Sequence, residues 1–300
     1  MAVRKELWAR TIVEGLFPDD SFMTKSIDDS QYVYLGKKVH VPQAGNAPSV
    51  TKNRSSVPAT AASREDSDLE YEIAEFTTDP IYIPNADNYE LSYSKRESVT
   101  REARNGLMQY VATDMLMNWA PAASETYQTT GAAVDPHISG ATGKRKSLNR
   151  HDVLRLQILF DSQNIPQKDR YLLLDAHMYG QLLSDLTESD KNMFMASADA
   201  AKGIVGNLYG FNVMKRSQVL RYSAAKAPVP VSSDTATDLA AGLAWHQDAV
   251  SRALGDVKAF VNNDNALYYG DVLSFLVRAG GHKRRKDKKG VIALLEATSA

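Results

Sequence analysis

Between residues 94 and 119 an apolar side chain returns at every fourth position. Val99, Ala103, Leu107, Val111, Met115 and Trp119 keep that spacing, with Tyr110, Ala112 and Leu116 widening the stripe. The pattern predicts one amphipathic helix with a face turned to a core. Ser94 and Glu97 have the spacing of a capping box, in which each side chain satisfies a backbone N–H of the first turn. Pro121 follows Ala120 and stops the helix, because its ring and missing N–H disfavour another turn. At 1.5 Å per residue the rod is roughly 39 Å long. Lys95, Arg96, Glu97, Arg101, Glu102 and Arg104 keep the other side of its first half polar. A rod of that length is expected to brace something extended.

The chain ahead of it is less regular. Leu7, Trp8, Ile12 and Leu16 predict a short amphipathic helix over residues 3–16, and residues 21–36 show no sustained period and read as an extended arm. Lys38-Val39-His40-Val41-Pro42 opens a strand. Leu69, Tyr71 and Ile73 alternate with Glu70 and Glu72, the period of a half-buried strand. Residues 43–68, polar and rich in small side chains, separate the two. Connections of that length are uncommon inside compact domains, and are usually disordered or act outside their own domain. An isolated two-stranded hairpin is also marginal, so this one needs a surface to lie on. Charge changes sign along it, from Lys37, Lys38, Lys52 and Arg54 to Glu65, Asp66, Asp68, Glu70, Glu72 and Glu75. Either the two arms pair with each other, or they complement a neighbouring subunit. Phe76–Pro84 is a further extended piece, since Pro80 and Pro84 rule out helix.

Past Tyr127–Lys146, a Thr/Gly/Ala-rich connection, strands and helices alternate, which argues for an α/β or α+β layer. Asn149 caps a predicted helix carrying Val153, Leu154, Leu156, Ile158, Leu159 and Phe160. Tyr171-Leu172-Leu173-Leu174 is short and fully apolar, as a central strand would be, and Asp175 caps the next helix. Strands are expected near Phe211–Val213, over Leu239–Trp245 and over Val257–Val261, with a helical turn from His246 to Leu254. Ser274–Ala279 and Val291–Leu295, joined by a basic turn, are expected to form a hairpin.

Charge and composition narrow the chemistry. The 300 residues carry a net charge of −1, so no global field draws the protein to nucleic acid or acidic lipid. Cysteine is absent, which removes disulfides, thiolate zinc sites and cysteine nucleophiles together. No secretory signal and no run of eighteen apolar residues is found. Ser139-Gly-Ala-Thr-Gly-Lys-Arg-Lys-Ser147 fails as a phosphate loop, with Ile138 and Arg145 where glycine and Ser/Thr are required. Gly203, Gly206 and Gly210 miss dinucleotide-binding spacing. The six histidines are scattered, with no HExxH and no zinc-ligand spacing, and no Gly-x-Ser-x-Gly elbow exists. No catalytic, cofactor or metal residue is therefore assigned. One charge anomaly stands out. Lys283, Arg284, Arg285, Lys286, Lys288 and Lys289 form a basic run without the aromatic residues that stack on bases. It reads as a solvated turn, or as a surface facing DNA or an acidic neighbour.

With these segments in place the sequence resembles the major capsid proteins of tailed bacteriophages, whose fold encapsulins share. The order of arm, long hairpin and long helix is similar to that family's N-terminal arm, extended loop and spine helix. Arg170–Asp175 with Tyr179, Leu182 and Leu183 resembles the strand-turn-helix of its axial domain, with Asp175 where many relatives have proline. Ala244–Val250 and Tyr268–Ile292 resemble its later segments.

The resemblance implies an α+β fold with an arm at 1–36, an extended loop at 37–75, and a peripheral domain at 76–148 with a spine helix at 94–119. An axial domain at 149–265 and closing strands at 266–300 would follow. It implies a non-enzymatic subunit, without cofactor, that self-assembles through pentamers and hexamers into an icosahedral virion shell around double-stranded DNA. Assembly would take place in the host bacterial cytoplasm, with portal and separate scaffolding or decoration proteins as partners and no membrane. Lys38, Lys52, Arg54, Arg64, Glu65, Asp66, Asp68, Glu70, Glu72, Lys95, Arg96, Arg101 and Arg104 are the expected inter-subunit contacts. The alternatives are an encapsulin-like compartment and an α/β enzyme without a recognisable motif.

Overall fold

Tyr171-Leu172-Leu173-Leu174 lies at the centre of the molecule, and every side chain in it is buried. The computed structural model describes residues 21–34, 37–45, 49–55, 63–84, 95–233, 235–265 and 267–299. The helix expected over 3–16, Ser94 of the capping box and the side chains of 95–99 lie outside the described residues.

In chain order, β1 (Lys38–Gln43) and β2 (Ser67–Glu72) form the expected hairpin, followed by β3 (Ala74–Thr77) and β4 (Ile81–Pro84). The long helix is α1 (Lys95–Trp119). After a connection with only short strands come α2 (Arg150–Ser162), β5 (Arg170–Asp175), α3 (Ala176–Asp185) and α4 (Glu188–Ala196). Then follow β6 (Ile204–Leu208), β7 (Phe211–Arg216), β8 (Leu220–Tyr222) and β9 (Leu239–His246). The chain closes with β10 (Val250–Asn265), β11 (Gly270–Lys283) and β12 (Val291–Leu295).

An eight-stranded sheet runs β6-β7-β5-β9-β8 and ends in Pro228–Val229, with β12 on β9 and Thr126–Gln128 beyond β12. Both faces of its centre are covered, so β5, β9 and β12 are buried at every position instead of alternating between buried and exposed residues. Tyr171, Leu173, Leu243, Trp245, Ala293 and Leu295 enter one core; Leu172, Leu174, Ala244, Ile292 and Leu294 enter the other. The second core is closed by α2, α3 and α4 through Leu156, Phe160, Met178, Leu182 and Phe194. Asn149 caps α2 with a full capping box to Asp152, and Asp175 caps α3 by accepting from the Met178 N–H. Either proline or a capping aspartate can begin a helix, so Asp175 leaves the strand-turn-helix intact.

The first core lies between that sheet, α1 and a second sheet. There β10 and β11 pair antiparallel, and both β3 and β4 add to β11. Leu107, Met108, Val111, Ala112, Met115, Leu116 and Trp119 are the buried face of α1. Tyr110, expected to widen that stripe, is 74% exposed. A strict spacing of four drifts about 40° per step on a 3.6-residue helix. The true stripe therefore takes the neighbours Met108, Ala112 and Leu116, while Tyr110 falls on the far side. Trp119 ends the stripe against Phe22 and Trp245, with ring centroids 5.9 and 5.8 Å away, and its Nε1 donates to Ser251 O at 2.9 Å. Gly281 makes room for it: a Cβ there would stand 2.7 Å from the indole nitrogen.

Three expectations are corrected. The arm, expected to be extended over 21–36, opens its described part, 21–34, with a 3-10 turn at Ser21–Lys25, where Phe22 and Met23 are core residues and Trp245 Nε1 donates to Lys25 O at 2.8 Å. The helical turn after His246 is a single turn at Gln247–Ala249, and the chain is already in β10 from Val250. From there β10 hydrogen-bonds with β11 in the second sheet. Finally, β11 and β12 do not form a hairpin, because β12 pairs with β9 and Thr126–Gln128. Local pattern reports that a segment is a strand but not which strand it joins.

Asp29, fully buried, faces Arg284 at 3.2 Å and ties the arm to the end of β11. Arg284→Ala is expected to cost about 3 kcal/mol in denaturant unfolding, because it leaves a carboxylate in the interior without its cation. Asp29→Asn in the same background should recover part of the loss.

Candidate assembly surfaces

The β1–β2 hairpin has two distinct faces because its residues alternate. Val39, Val41 and Tyr71, with Ile73 beyond, pack on Ala253 of β10, and the Tyr71 hydroxyl lies 3.1 Å from Ser251 Oγ. Burial pushes that hydroxyl up to about 12. The base of the hairpin thus belongs to its own subunit. Pairing ends at Gln43 and Ser67, so the segment between them leaves the sheet.

The other face carries the predicted charges, and much of the charge is matched within the hairpin. Lys38 Nζ lies 3.9 Å from both Glu70 and Glu72, Arg64 Nε lies 2.6 Å from Asp66, and His40 Nδ1 lies 2.9 Å from Asp68. Asp66 also accepts from the Gly45 N–H and is held below the usual carboxylate range, first by Arg64. Lys52, Arg54 and Glu65 are exposed on the distal segment. On α1, Arg101 is exposed and Arg104 is half-buried, its Nε without a hydrogen-bond partner among the described residues. The side chains of Lys95 and Arg96 lie outside the description. Open grooves of about 420 and 530 Å³ flank the outer face of α1, lined by Gln109 and Thr113, with Asp114 and Tyr110 in the larger. Burial raises the Asp114 carboxyl although Asn118 donates to it.

The basic run divides in the same way. Lys283 donates to Ala120 O at 2.7 Å, and burial lowers its ammonium; Arg284 takes Asp29 and Arg285 takes Asp287. Lys286, Lys288 and Lys289 are exposed on the turn. Half of the run is therefore structural, and the other half faces solvent.

A junction that local motifs do not reveal surrounds His137. Its Nε2 lies 3.0 Å from Asp175 at the start of α3, and its Nδ1 lies 3.4 Å from the buried Glu296 just past β12. Only the first contact has hydrogen-bonding geometry. His177 stacks on the ring at 4.5 Å. Burial alone would lower this imidazole, but the two carboxylates outweigh it and raise it to about 10. His137 thereby holds the 129–147 connection to the main sheet as a cation. A group whose folded pKa is raised stabilises fully below its unfolded value near 6.5 and loses that contribution as pH climbs to about 10. Wild type should exceed His137→Gln in melting temperature most at about pH 6. The gap should close by about pH 10; a gap that is flat with pH removes the charge from this account.

No protein-family model and no curated protein matches the sequence. Solved structures match on fold over nearly the whole chain. The capsid of Ralstonia phage GP4 aligns at a TM-score of 0.68 and 12% identity, over 92% of this chain and 88% of that one. The capsid of cyanophage P-SCSP1u aligns at 0.64 and 16%, over 92% and 87%. A virus-like particle from Pyrococcus furiosus aligns at 0.55 and 9%, over 97% and 99%. The chain has the α+β fold of the phage major capsid proteins.

Proposed function

We propose that this protein is the major capsid protein of a tailed phage, a structural subunit that closes through pentamers and hexamers into an icosahedral shell around double-stranded DNA. The whole-length likeness to phage capsids carries this reading. It is supported by a hairpin rooted in its own core with a distal segment that leaves it. In this reading residues 1–36 are the arm, 37–75 the extended loop, 76–148 the peripheral domain around α1, 149–265 the axial domain and 266–300 the closing strands. Because β10 pairs in the sheet that packs on α1, it links the two domains. Lys52, Arg54 and Glu65 on the distal segment and Arg101 on α1 are the charges best placed for a neighbour. Lys286, Lys288 and Lys289 are the cations best placed for DNA or an acidic partner. Many modest contacts repeated around a shell give high avidity while each remains correctable. Assembly in a bacterial cytoplasm with portal, scaffolding or decoration proteins belongs to the same proposal.

The likeness to the Pyrococcus particle, over 97% of this chain, favours a second reading as an encapsulin-like compartment holding a cargo protein. Electron microscopy of purified protein tests both: a compact monomer at every concentration and salt overturns them together. Nucleic acid recovered from closed particles separates the first from the second.

A further inference from the structure

Local spacing offers no metal-ligand set, yet the hairpin register assembles one. His40 stands directly opposite Glu70, while Asp68 is two residues along on the same face. His40 Nδ1 lies 2.9 Å from Asp68 Oδ2 and 3.3 Å from Glu70 Oε1. All three donors fall within 4.8 Å of one another, although residues 40 and 68 are 28 apart in sequence. A tetrahedral zinc site with bonds of about 2.0–2.1 Å has ligand–ligand edges of about 3.3 Å. The contacts from His40 already lie close to those edges.

We infer that His40, Asp68 and Glu70 form a binding site for a divalent transition cation of the zinc type. An imidazole nitrogen beside two carboxylates selects zinc or its borderline neighbours over magnesium and calcium, which take oxygen ligands. The neutral imidazole carries its proton on Nε2 when Nδ1 takes the metal, so binding to the neutral form needs no other base. Lys38 contacts the other carboxylate oxygen, Oε2 of Glu70, and leaves Oε1 turned toward His40. With Glu72 included, this face holds three carboxylates against one lysine, so a cation there gains charge balance as well as ligands. Three protein donors at a half-exposed position leave the fourth place to water or to a group from outside the subunit.

The location gives the site a use. Asp68 pairs with Pro42, one step before the last strand pair, Gln43 with Ser67. A metal there would clamp the two strands where the hairpin opens into its long distal segment, and would fix the direction in which that segment departs.

Calorimetric titration of zinc chloride into full-length soluble subunits tests the proposal, and it reads the same whether or not shells form. One equivalent per chain is expected to bind saturably in the micromolar range, with magnesium chloride giving no comparable heat. His40→Ala and the double variant Asp68→Asn/Glu70→Gln should lose that binding with melting temperatures near wild type, since these side chains lie off the core face. His177→Ala should retain it. The proposal is overturned if no saturable binding occurs below millimolar zinc. It is equally overturned if the equivalent survives in His40→Ala or disappears in His177→Ala.

Discussion

Trp119→Ala is expected to destabilise the subunit by about 5 kcal/mol in denaturant unfolding. Burying and then deleting a large aromatic side chain costs about 3–5 kcal/mol through lost transfer energy and the remaining cavity. Trp119 is fully buried where α1, the arm and both sheets meet, packed on Phe22 and Trp245. Its loss also leaves Ser251 O without its indole donor, roughly a further 1 kcal/mol. Collapse is restricted because Gly281 offers no side chain to fill the gap. Trp119→Phe should fall near the midpoint, keeping most of the ring and losing the N–H. A loss below about 1 kcal/mol for the alanine variant would remove this residue from the centre of the core.

Deleting residues 44–64 should have the opposite profile: a stable subunit that no longer closes shells. Every pair from Lys38–Glu72 to Gln43–Ser67 is retained, as are Val39, Val41, Tyr71 and Ile73 against β10. Glu65 and Asp66 then form a two-residue connection, and Asn-Gly in their place would suit the twist of a tight hairpin. Melting temperature should change by only a few degrees, because a long exposed loop contributes little to stability. Electron microscopy should show subunits or small oligomers where wild type gives closed particles. Normal shells from this variant would show that the distal segment is not an assembly element.

The sequence made the elements legible more readily than their partners. The long helix, the hairpin strands, the capped helices after Asn149 and Asp175 and the apolar strand over 171–174 each carry their pattern locally, and each is present. Partner choice is not local. β11 and β12 are adjacent in sequence and both strand-like, yet they join different sheets. Phe22-Met23 was the available signal that the arm enters the core, an apolar pair inside a polar stretch. The candidate sites were less legible for the same reason. The charge reversal across the hairpin could be seen, but not that Lys38 is matched within it, nor that Arg284 is taken by Asp29. His137 shows no motif because its two carboxylates come from residues 175 and 296.

The position of Val291–Leu295 sets the order in which this chain can fold. That strand lies inside the main sheet, antiparallel to Leu239–His246 and parallel to Thr126–Gln128. Leu295 and Ala293 belong to the core that holds Trp119, while Leu294 and Ile292 belong to the one that holds Phe160. Neither core can close on a ribosome-bound fragment that stops before residue 291. Contacts of such long sequence separation fold slowly. Until this strand docks, a nascent chain exposes two apolar surfaces and an open strand edge. Synthesis at about 5–20 residues per second therefore leaves a window of many seconds in which chaperone binding competes with misassembly.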